Sequence, residues 1–268
     1  GPDGLWGTMR AVSLDLNKIV PRESLEFVQK GFTKHAVEVI CGPRQSGKTT
    51  LLYLLMRELS RLKVRAESIR YINLDLLPDL GLFENPSRFY QAIEESRPGD
   101  KNQKIYLFLD EVQRLKNPGL FLKALYDSYP QIKIIVSGSS SLEIKAKTKE
   151  FLTGRKREVR LLPLSYREIV RFPGKLPEEL FQEKIARDNI IAWENWEEIY
   201  GQFLREQMMN MVVYGGYPGV FREEEFPGKE EVLYELYNSY VKKDVADFLK
   251  VENISHFNNL TKTLSAQI

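Results

Sequence analysis

The chain has 268 residues, of which 43% are hydrophobic and 28% are charged, and its formal net charge is +2. This length and apolar fraction suit one large α/β domain, or such a domain with a small helical one, and the charge neither requires nor excludes a nucleic-acid partner. No apolar run is long enough to span a membrane. Cys41 is the only cysteine, which excludes an internal disulfide and a cysteine cluster for metal.

Residues 1–8 precede Met9 and resemble an expression-vector remnant, so they are left out of the fold prediction. No charged-then-apolar secretion signal follows Met9, and we therefore expect a cytoplasmic protein. His35 and His256 are the only histidines and lie far apart in the sequence, so oxygen-bound Mg²⁺ is the expected metal chemistry.

Short apolar stretches alternate with helical patterns along the first part of the chain. After a predicted helix over 22–31, the predicted strands are 36–41, 68–74, 104–109, 132–136 and 158–161. Helices are predicted between the strands, within 42–62, over 87–96 and from Pro118 onward. This alternation predicts an α/β fold, a parallel five-stranded sheet flanked by helices and joined by right-handed crossovers.

The second part of the chain has helical patterns only. Ser165 and Glu168 have the spacing of a capping box, which predicts a helix from Tyr166. A charged stretch over 173–194 is interpreted as a linker or insertion. Helices near 195–212, 229–250 and 255–268 predict a helical subdomain over 195–268, behind a core that spans 9–172.

One segment after the first strand matches the phosphate-binding loop pattern G-x-x-x-x-G-K-[ST] without a mismatch. It reads Gly42-Pro43-Arg44-Gln45-Ser46-Gly47-Lys48-Thr49, and Thr50 follows it. In such a loop the backbone N–H groups and the helix N-terminus surround the β-phosphate. Lys48 would reach the β- and γ-phosphates, and the Thr49 hydroxyl would ligate Mg²⁺. The segment predicts nucleotide binding by residues 42–50.

Two adjacent carboxylates follow the third predicted strand. Asp110 would hold the magnesium shell opposite Thr49, directly or through water. Glu111 could orient and deprotonate the water that attacks the γ-phosphate. The alternative is a solvated strand end, but the preceding phosphate loop favours the Walker B interpretation.

Hydroxyl groups follow the fourth predicted strand. Because parallel strands present their carboxyl ends to the ligand, Ser137 or Ser139 would lie close to the γ-phosphate and position water or sense the phosphate. A polar turn without a role in the chemistry is the alternative at this position.

A basic run over 145–157 follows the serines. Arg155 is the preferred candidate to stabilise charge on the γ-phosphate, in cis or from a neighbouring subunit, and Arg157 is the reserve. The run could instead contact nucleic-acid phosphates, or form a solvated loop.

Three glycines surround a proline in Gly215-Gly216-Tyr217-Pro218-Gly219, between two predicted helices. Glycine lets the backbone approach another group closely. The sequence leaves open whether that group is adenine or another helix.

Taken together, these motifs resemble the prokaryotic AAA-type ATPases, abundant in archaea, that join an ATPase core to a C-terminal winged-helix and nuclease-like domain of uncertain function. The resemblance runs from about residue 18 to the end. It is carried by the phosphate loop, then by Phe108-Leu109-Asp110-Glu111-Val112-Gln113, Ser137-Gly138-Ser139-Ser140-Ser141, Leu152-Thr153-Gly154-Arg155, Leu162-Pro163-Leu164-Ser165-Tyr166 and Gly215-Gly216-Tyr217-Pro218.

The resemblance implies that 9–172 is an AAA-type P-loop core and that 195–268 is a helical lid, with the winged-helix and nuclease-like region missing. It also implies that Pro218 packs on adenine and that the segment with Pro21 and Arg22 flanks the base. Family members often carry an arginine-aspartate pair in the long lid helix, whereas this chain has Lys243-Asp244.

The sequence therefore predicts Mg²⁺-dependent ATP hydrolysis coupled to a conformational change, in DNA-associated work or defence, with ADP and ATP as ligands. Four catalytic residues are predicted, which are Lys48, Glu111, Arg155 and Ser139. A slowly hydrolysing nucleotide switch that acts through protein partners is the main alternative. A phosphotransferase and a nucleic-acid-binding module are further alternatives, and DNA binding and a homo-oligomer stay open.

Overall fold

The computed structural model describes residues 19–96, 104–138, 152–172, 176, 190–241 and 254–266, with the side chains of 190–197 left aside. Its five strands are β1 (Val37–Cys41), β2 (Ile69–Asn73), β3 (Ile105–Asp110), β4 (Ile132–Gly138) and β5 (Lys156–Arg160). They form one sheet in the order β2-β3-β4-β1-β5, and every neighbouring pair is parallel. The predicted parallel five-stranded sheet is confirmed.

The sheet is covered on both faces, and this explains why its central strands are almost wholly apolar. Leu107 and Leu109 of β3 face one core cluster, whereas Phe108 between them faces the other. The helices of the core are α1 (Ser24–Gln29), α2 (Lys48–Arg61), α3 (Pro86–Glu95), α4 (Pro118–Ser128) and α5 (Tyr166–Arg171). Apolar side chains of α1 and α2 lie in the Phe108 cluster, and those of α3 and α4 lie in the Leu107 cluster.

The helical region that follows contains α6 (Ile190–Tyr214), α7 (Pro218–Arg222), α8 (Phe226–Tyr240) and α9 (Ile254–Ser265). Helix α6 begins inside the stretch interpreted as a linker. The Tyr166 hydroxyl joins α5 to α6 by donating to the carbonyl oxygen of Leu204 at 2.8 Å. In the part of the chain that the structure describes, no helix has the length and apolar character needed to cross a membrane.

The capping box predicted at α5 is present. The Ser165 hydroxyl accepts a hydrogen bond from the Glu168 backbone N–H, and the Glu168 carboxylate accepts one from the Ser165 N–H. Both groups satisfy backbone donors that the first helical turn leaves without partners. The box fixes the place of Glu168, whose carboxylate also faces the N-terminal segment.

Candidate nucleotide and metal site

The phosphate loop lies at the carboxyl edge of the sheet, between the end of β1 and the start of α2 at Lys48. Gly47 has a φ of +93°, a left-handed conformation that L side chains rarely adopt. A Cβ at Gly42 would overlap the carbonyl oxygen of Leu161, so only glycine fits there. The Oγ of Ser46 is buried and has no hydrogen-bond partner among the described residues, so it is a polar atom that a ligand in the loop could satisfy.

Lys48 holds the loop in its curled shape. Its Nζ donates hydrogen bonds to the carbonyl oxygens of Gly42 at 3.1 Å and Pro43 at 2.8 Å. The residue is buried, and its ammonium group therefore lies within the loop and not in solvent. A phosphate bound there would meet this cation and the N-terminus of α2 together.

Asp110 is fully buried and receives three hydroxyl hydrogen bonds. Its Oδ2 accepts from Thr49 Oγ1 at 2.6 Å and from the Tyr71 hydroxyl at 3.2 Å. Its Oδ1 accepts from Ser137 Oγ. The structure thus brings together Thr49, Asp110 and Ser137, which the sequence predicts from three separate segments.

Glu111 follows directly and is turned toward the same edge. Its backbone has a φ of 58° and a ψ of 47°, which ends β3 abruptly and breaks the alternation of side chains across the sheet. The Glu111 carboxylate accepts a hydrogen bond from Gln113 Nε2. Burial raises the pKa of this carboxyl group, whereas the hydrogen bond from Gln113 and the charge of Lys48 act to lower it.

Arg22 connects the N-terminal segment to the phosphate loop. Its guanidinium donates to the carbonyl oxygens of Ser46 at 2.7 Å and Leu162 at 2.6 Å, and it pairs with Glu168 at 2.9 Å. The side chains of Arg22 and Glu168 are only 8% and 6% exposed, so solvent screens this ion pair weakly. Pro21, the neighbouring predicted residue, is exposed.

The glycine-rich turn contacts the protein's own backbone. Gly216 lies against Leu164, whose N–H donates to the Gly216 carbonyl oxygen at 2.6 Å, and a Cβ at Gly216 would overlap the Leu164 carbonyl oxygen. Pro218, which follows it, has its ring beside the phosphate loop, because a Cβ at Gly47 would lie 3.8 Å from Pro218 Cγ. The close approach that the glycines permit is therefore to the chain before α5.

The structure corrects the prediction that Arg155 acts on the γ-phosphate in cis. Arg155 precedes β5, and its carbonyl oxygen accepts from the N–H of Val37 at the beginning of β1. It therefore lies at the amino edge of the sheet, on the order of 15 Å along the strands from the phosphate loop. Its guanidinium pairs with Asp127 at 3.0 Å. The reserve candidate, Arg157, forms an ion pair with Glu38 in β1. Its guanidinium is therefore also held by the protein on the amino side of the sheet.

Some predicted residues cannot be placed. Ser139 and most of the basic run, through residue 151, lie outside the described residues, as do Lys243 and Asp244. Arg44 and Gln45 lie in the loop before α2, and Thr50 lies in the first turn of α2.

The sequence did not point to Tyr71, Gln113 or Glu168 as site residues. In the sequence, Tyr71 has the pattern of an ordinary core residue of an apolar strand. The register of β2 against β3 pairs Tyr71 with Phe108, two residues before Asp110, and this brings the Tyr71 hydroxyl close to the Asp110 carboxylate. Glu168 was recognised for its helix cap, and its second contact with Arg22 depends on folding.

The oxygen donors at the carboxyl edge fit Mg²⁺ better than a softer metal. Among the described residues there is no group of three or more His, Cys, Asp or Glu side chains that could hold a metal ion. The hydroxyl of Thr49 and the carboxylate of Asp110 are hard ligands, and Mg²⁺ is commonly held by one or two such groups together with phosphate oxygens and water.

The parallel sheet, the glycine loop and the helix that begins at Lys48 define a P-loop nucleoside-triphosphatase fold. The sequence profile described as "AAA domain" matches residues 34–170, just over half of the chain, and the chain belongs to this family. A second profile, described as a domain of unknown function, matches residues 205–268.

Two curated proteins without a described function are similar to most of this chain. The chain is 26% identical over 210 residues to an uncharacterized protein of Haemophilus influenzae, and 27% identical over 218 residues to one of Methanocaldococcus jannaschii. These matches cover 78% and 80% of the chain but only 46% and 44% of the relatives, so the chain spans less than half the length of these curated relatives.

A solved structure shows the same fold. The chain resembles the Walker-type ATPase PABY2304 of Pyrococcus abyssi with a TM-score of 0.51 and 17% identity, over 87% of this chain and 76% of the other. At this identity the likeness supports the fold alone.

Proposed function

We propose that this chain binds ATP with Mg²⁺ and hydrolyses it, and that hydrolysis is coupled to a conformational change. The observation that carries the proposal is the hydrogen bond of 2.6 Å between Thr49 Oγ1 and Asp110 Oδ2, at the mouth of a complete phosphate loop. Thr49 lies in the first turn of α2 and Asp110 ends β3, and the two groups meet where parallel strands present their ligand edge.

Each residue has a separate part in the proposed reaction. Lys48 and the backbone N–H groups of the loop bind the phosphates, and Thr49 and Asp110 hold Mg²⁺. When bound, Mg²⁺ neutralises charge on the β- and γ-phosphate oxygens. Glu111 takes a proton from the attacking water, and its raised pKa makes it a stronger base than an exposed glutamate.

Adenine is proposed to bind between Arg22 and Pro218. Both side chains approach Gly47, with Arg22 Nη1 and Pro218 Cγ at 3.6 Å and 3.8 Å from the position of a Cβ there. They come from opposite ends of the chain and flank the same part of the loop. This arrangement supports the role that the family resemblance implies for the two residues.

A slowly hydrolysing nucleotide switch is the second candidate, and one contact favours it. The Glu111 carboxylate accepts a hydrogen bond from Gln113, two residues further on, and this contact holds one oxygen of the proposed base against the protein. A partner or DNA that breaks the contact would raise the rate of hydrolysis.

The test is ATP hydrolysis by the wild type and by Glu111→Gln, with Mg²⁺, in the presence and absence of double-stranded DNA. We expect Glu111→Gln to bind ATP as tightly as the wild type and to lose turnover by about 100-fold or more. Equal turnover in the two proteins would take the base role from Glu111. Tight binding without turnover in the wild type would favour the switch, and stimulation by DNA would support a DNA-associated role.

A further inference from the structure

Tyr71 and Tyr53 form a hydrogen-bonded chain that ends on the proposed metal-side carboxylate. The Tyr53 hydroxyl donates to the Tyr71 hydroxyl at 3.2 Å, and the Tyr71 hydroxyl donates to Asp110 Oδ2 at 3.2 Å. Because the Tyr71 oxygen accepts from Tyr53, its single proton is directed to Asp110. The two rings pack with their centroids 5.2 Å apart.

Two of the residues that donate hydrogen bonds to Asp110 have different roles in the proposed reaction. Thr49 shares Oδ2 with Tyr71, but its hydroxyl is also the proposed metal ligand. Thr49 can coordinate Mg²⁺ through a lone pair of its oxygen while its proton stays directed to Oδ2, so its position would depend on the metal. Tyr71 takes no part in binding phosphate or metal and can keep its hydrogen bond throughout.

We propose that Tyr71 is a positioning residue that fixes the Asp110 carboxylate for Mg²⁺, and that Tyr53 orients the Tyr71 hydroxyl. This inference rests on the proposed nucleotide and metal binding. A carboxylate that is already oriented loses less conformational freedom when a metal binds, and groups that orient metal ligands are commonly required for affinity.

The chemistry of the Tyr71 hydroxyl supports this role. The Tyr71 hydroxyl has one proton, which it donates to Asp110 Oδ2 at 3.2 Å. It therefore orients the carboxylate without bringing a charge of its own to the site.

The test is the Tyr71→Phe variant, which keeps the ring and removes the hydroxyl. We expect the concentration of Mn²⁺ that half-saturates the ADP-bound protein, measured by electron paramagnetic resonance, to rise about ten-fold. Nucleotide affinity measured in EDTA should equal that of the wild type. Tyr53→Phe acts only through Tyr71 and should raise the same Mn²⁺ concentration about two-fold.

Tyr106→Phe is the matched control. Tyr106 lies on β3, is partly buried, and packs against Phe32 on the same face of the sheet. Tyr106 does not donate a hydrogen bond to Asp110. Removing its hydroxyl in Tyr106→Phe should therefore leave the affinity for Mn²⁺ unchanged.

The outcomes separate this inference from the proposed function. If Tyr71→Phe binds Mn²⁺ like the wild type while the wild type hydrolyses ATP, the positioning role is wrong and the function stands. If Tyr71→Phe loses nucleotide affinity in EDTA to the same extent, the tyrosine is only structural. If the wild type binds no nucleotide, both the function and the inference fall.

Discussion

The two edges of the sheet both bury a carboxylate, but they surround it differently. At the amino edge Glu38 is fully buried, and its Oε1 accepts from Lys133 and Arg157, each at 2.9 Å. At the carboxyl edge Asp110 is equally buried, and its donors among the described residues are hydroxyl groups.

The two carboxylates differ in whether the fold itself supplies a compensating positive charge. The charge of Glu38 is compensated by cations that belong to the fold, and Lys133 is held further by the carbonyl oxygens of Lys34 and Ala36. Burying a charge is tolerated when it is paired in this way. Hydroxyl groups orient the Asp110 carboxylate without cancelling its charge, so the carboxylate can still attract a cation from outside the chain.

The largest expected effect is at the carboxyl edge, with Lys48→Ala. Removing the ammonium group takes away the charged donor that we propose for the phosphates, and we expect ATP affinity to fall by about 100-fold or more. Isothermal titration calorimetry measures this change. Lys30→Ala, at the exposed residue that directly follows α1, is the control and should leave affinity unchanged. If Lys48→Ala binds ATP as tightly as the wild type, the assignment of the phosphate loop as the nucleotide site is wrong.

The amino edge should affect stability and not nucleotide binding. Glu38→Gln leaves the buried Lys133 and the partly buried Arg157 without their carboxylate, and we expect the free energy of unfolding to fall by about 3–5 kcal/mol. Urea denaturation measures the loss, with Glu26→Gln in an exposed ion pair as the control. ATP affinity per folded molecule should stay the same. A loss of affinity without a loss of stability would show that the two edges are not separate in function.

Glu111→Gln should change the stability of the protein by less than Glu38→Gln and by more than Arg155→Ala, and the size of the change should depend on pH. Because burial raises the pKa of Glu111 in the folded protein, its contribution to stability is present below its unfolded pKa and is lost as pH rises through the folded pKa. Glutamine is neutral at every pH, so the variant should have the higher melting temperature at pH 7, and the difference should disappear in acid. A difference that stays constant with pH would mean that the charge of Glu111 is not the cause.

The smallest expected effect is that of Arg155→Ala. The ion pair with Asp127 is more than a third exposed, and its loss should lower the free energy of unfolding by less than about 1 kcal/mol. Hydrolysis per subunit should match the wild type at low protein concentration. A deficit that develops as protein concentration rises would show that Arg155 acts on a neighbouring subunit.

The sequence predicted the strands and the phosphate loop well because each depends on local residues. A strand covered on both faces must be apolar at nearly every position, as β3 is, and a loop around phosphate needs glycine at fixed positions. Asp110 and Thr49 could be paired because the edge at which parallel strands bind ligands is a property of the fold.

The rest depends on neighbours that the sequence does not show. Arg155 follows β4 in the chain, but it lies at the amino edge of the sheet, directly before β5 begins. Tyr71 becomes a partner of Asp110 only through the register of β2 and β3. Ser165 and Glu168 were recognised as a helix cap, whereas the second use of Glu168, as the partner of Arg22, needs residues 146 positions apart to meet.

The contact of Gly216 with Leu164 joins the helical region to the core through main-chain atoms. This hydrogen bond uses backbone atoms, so it does not depend on which side chains α6 and α7 carry. Position 216 itself is constrained to the one amino acid that has no side chain. Sequences that have diverged widely in the helical region can therefore keep one common way of attaching it beside the phosphate loop.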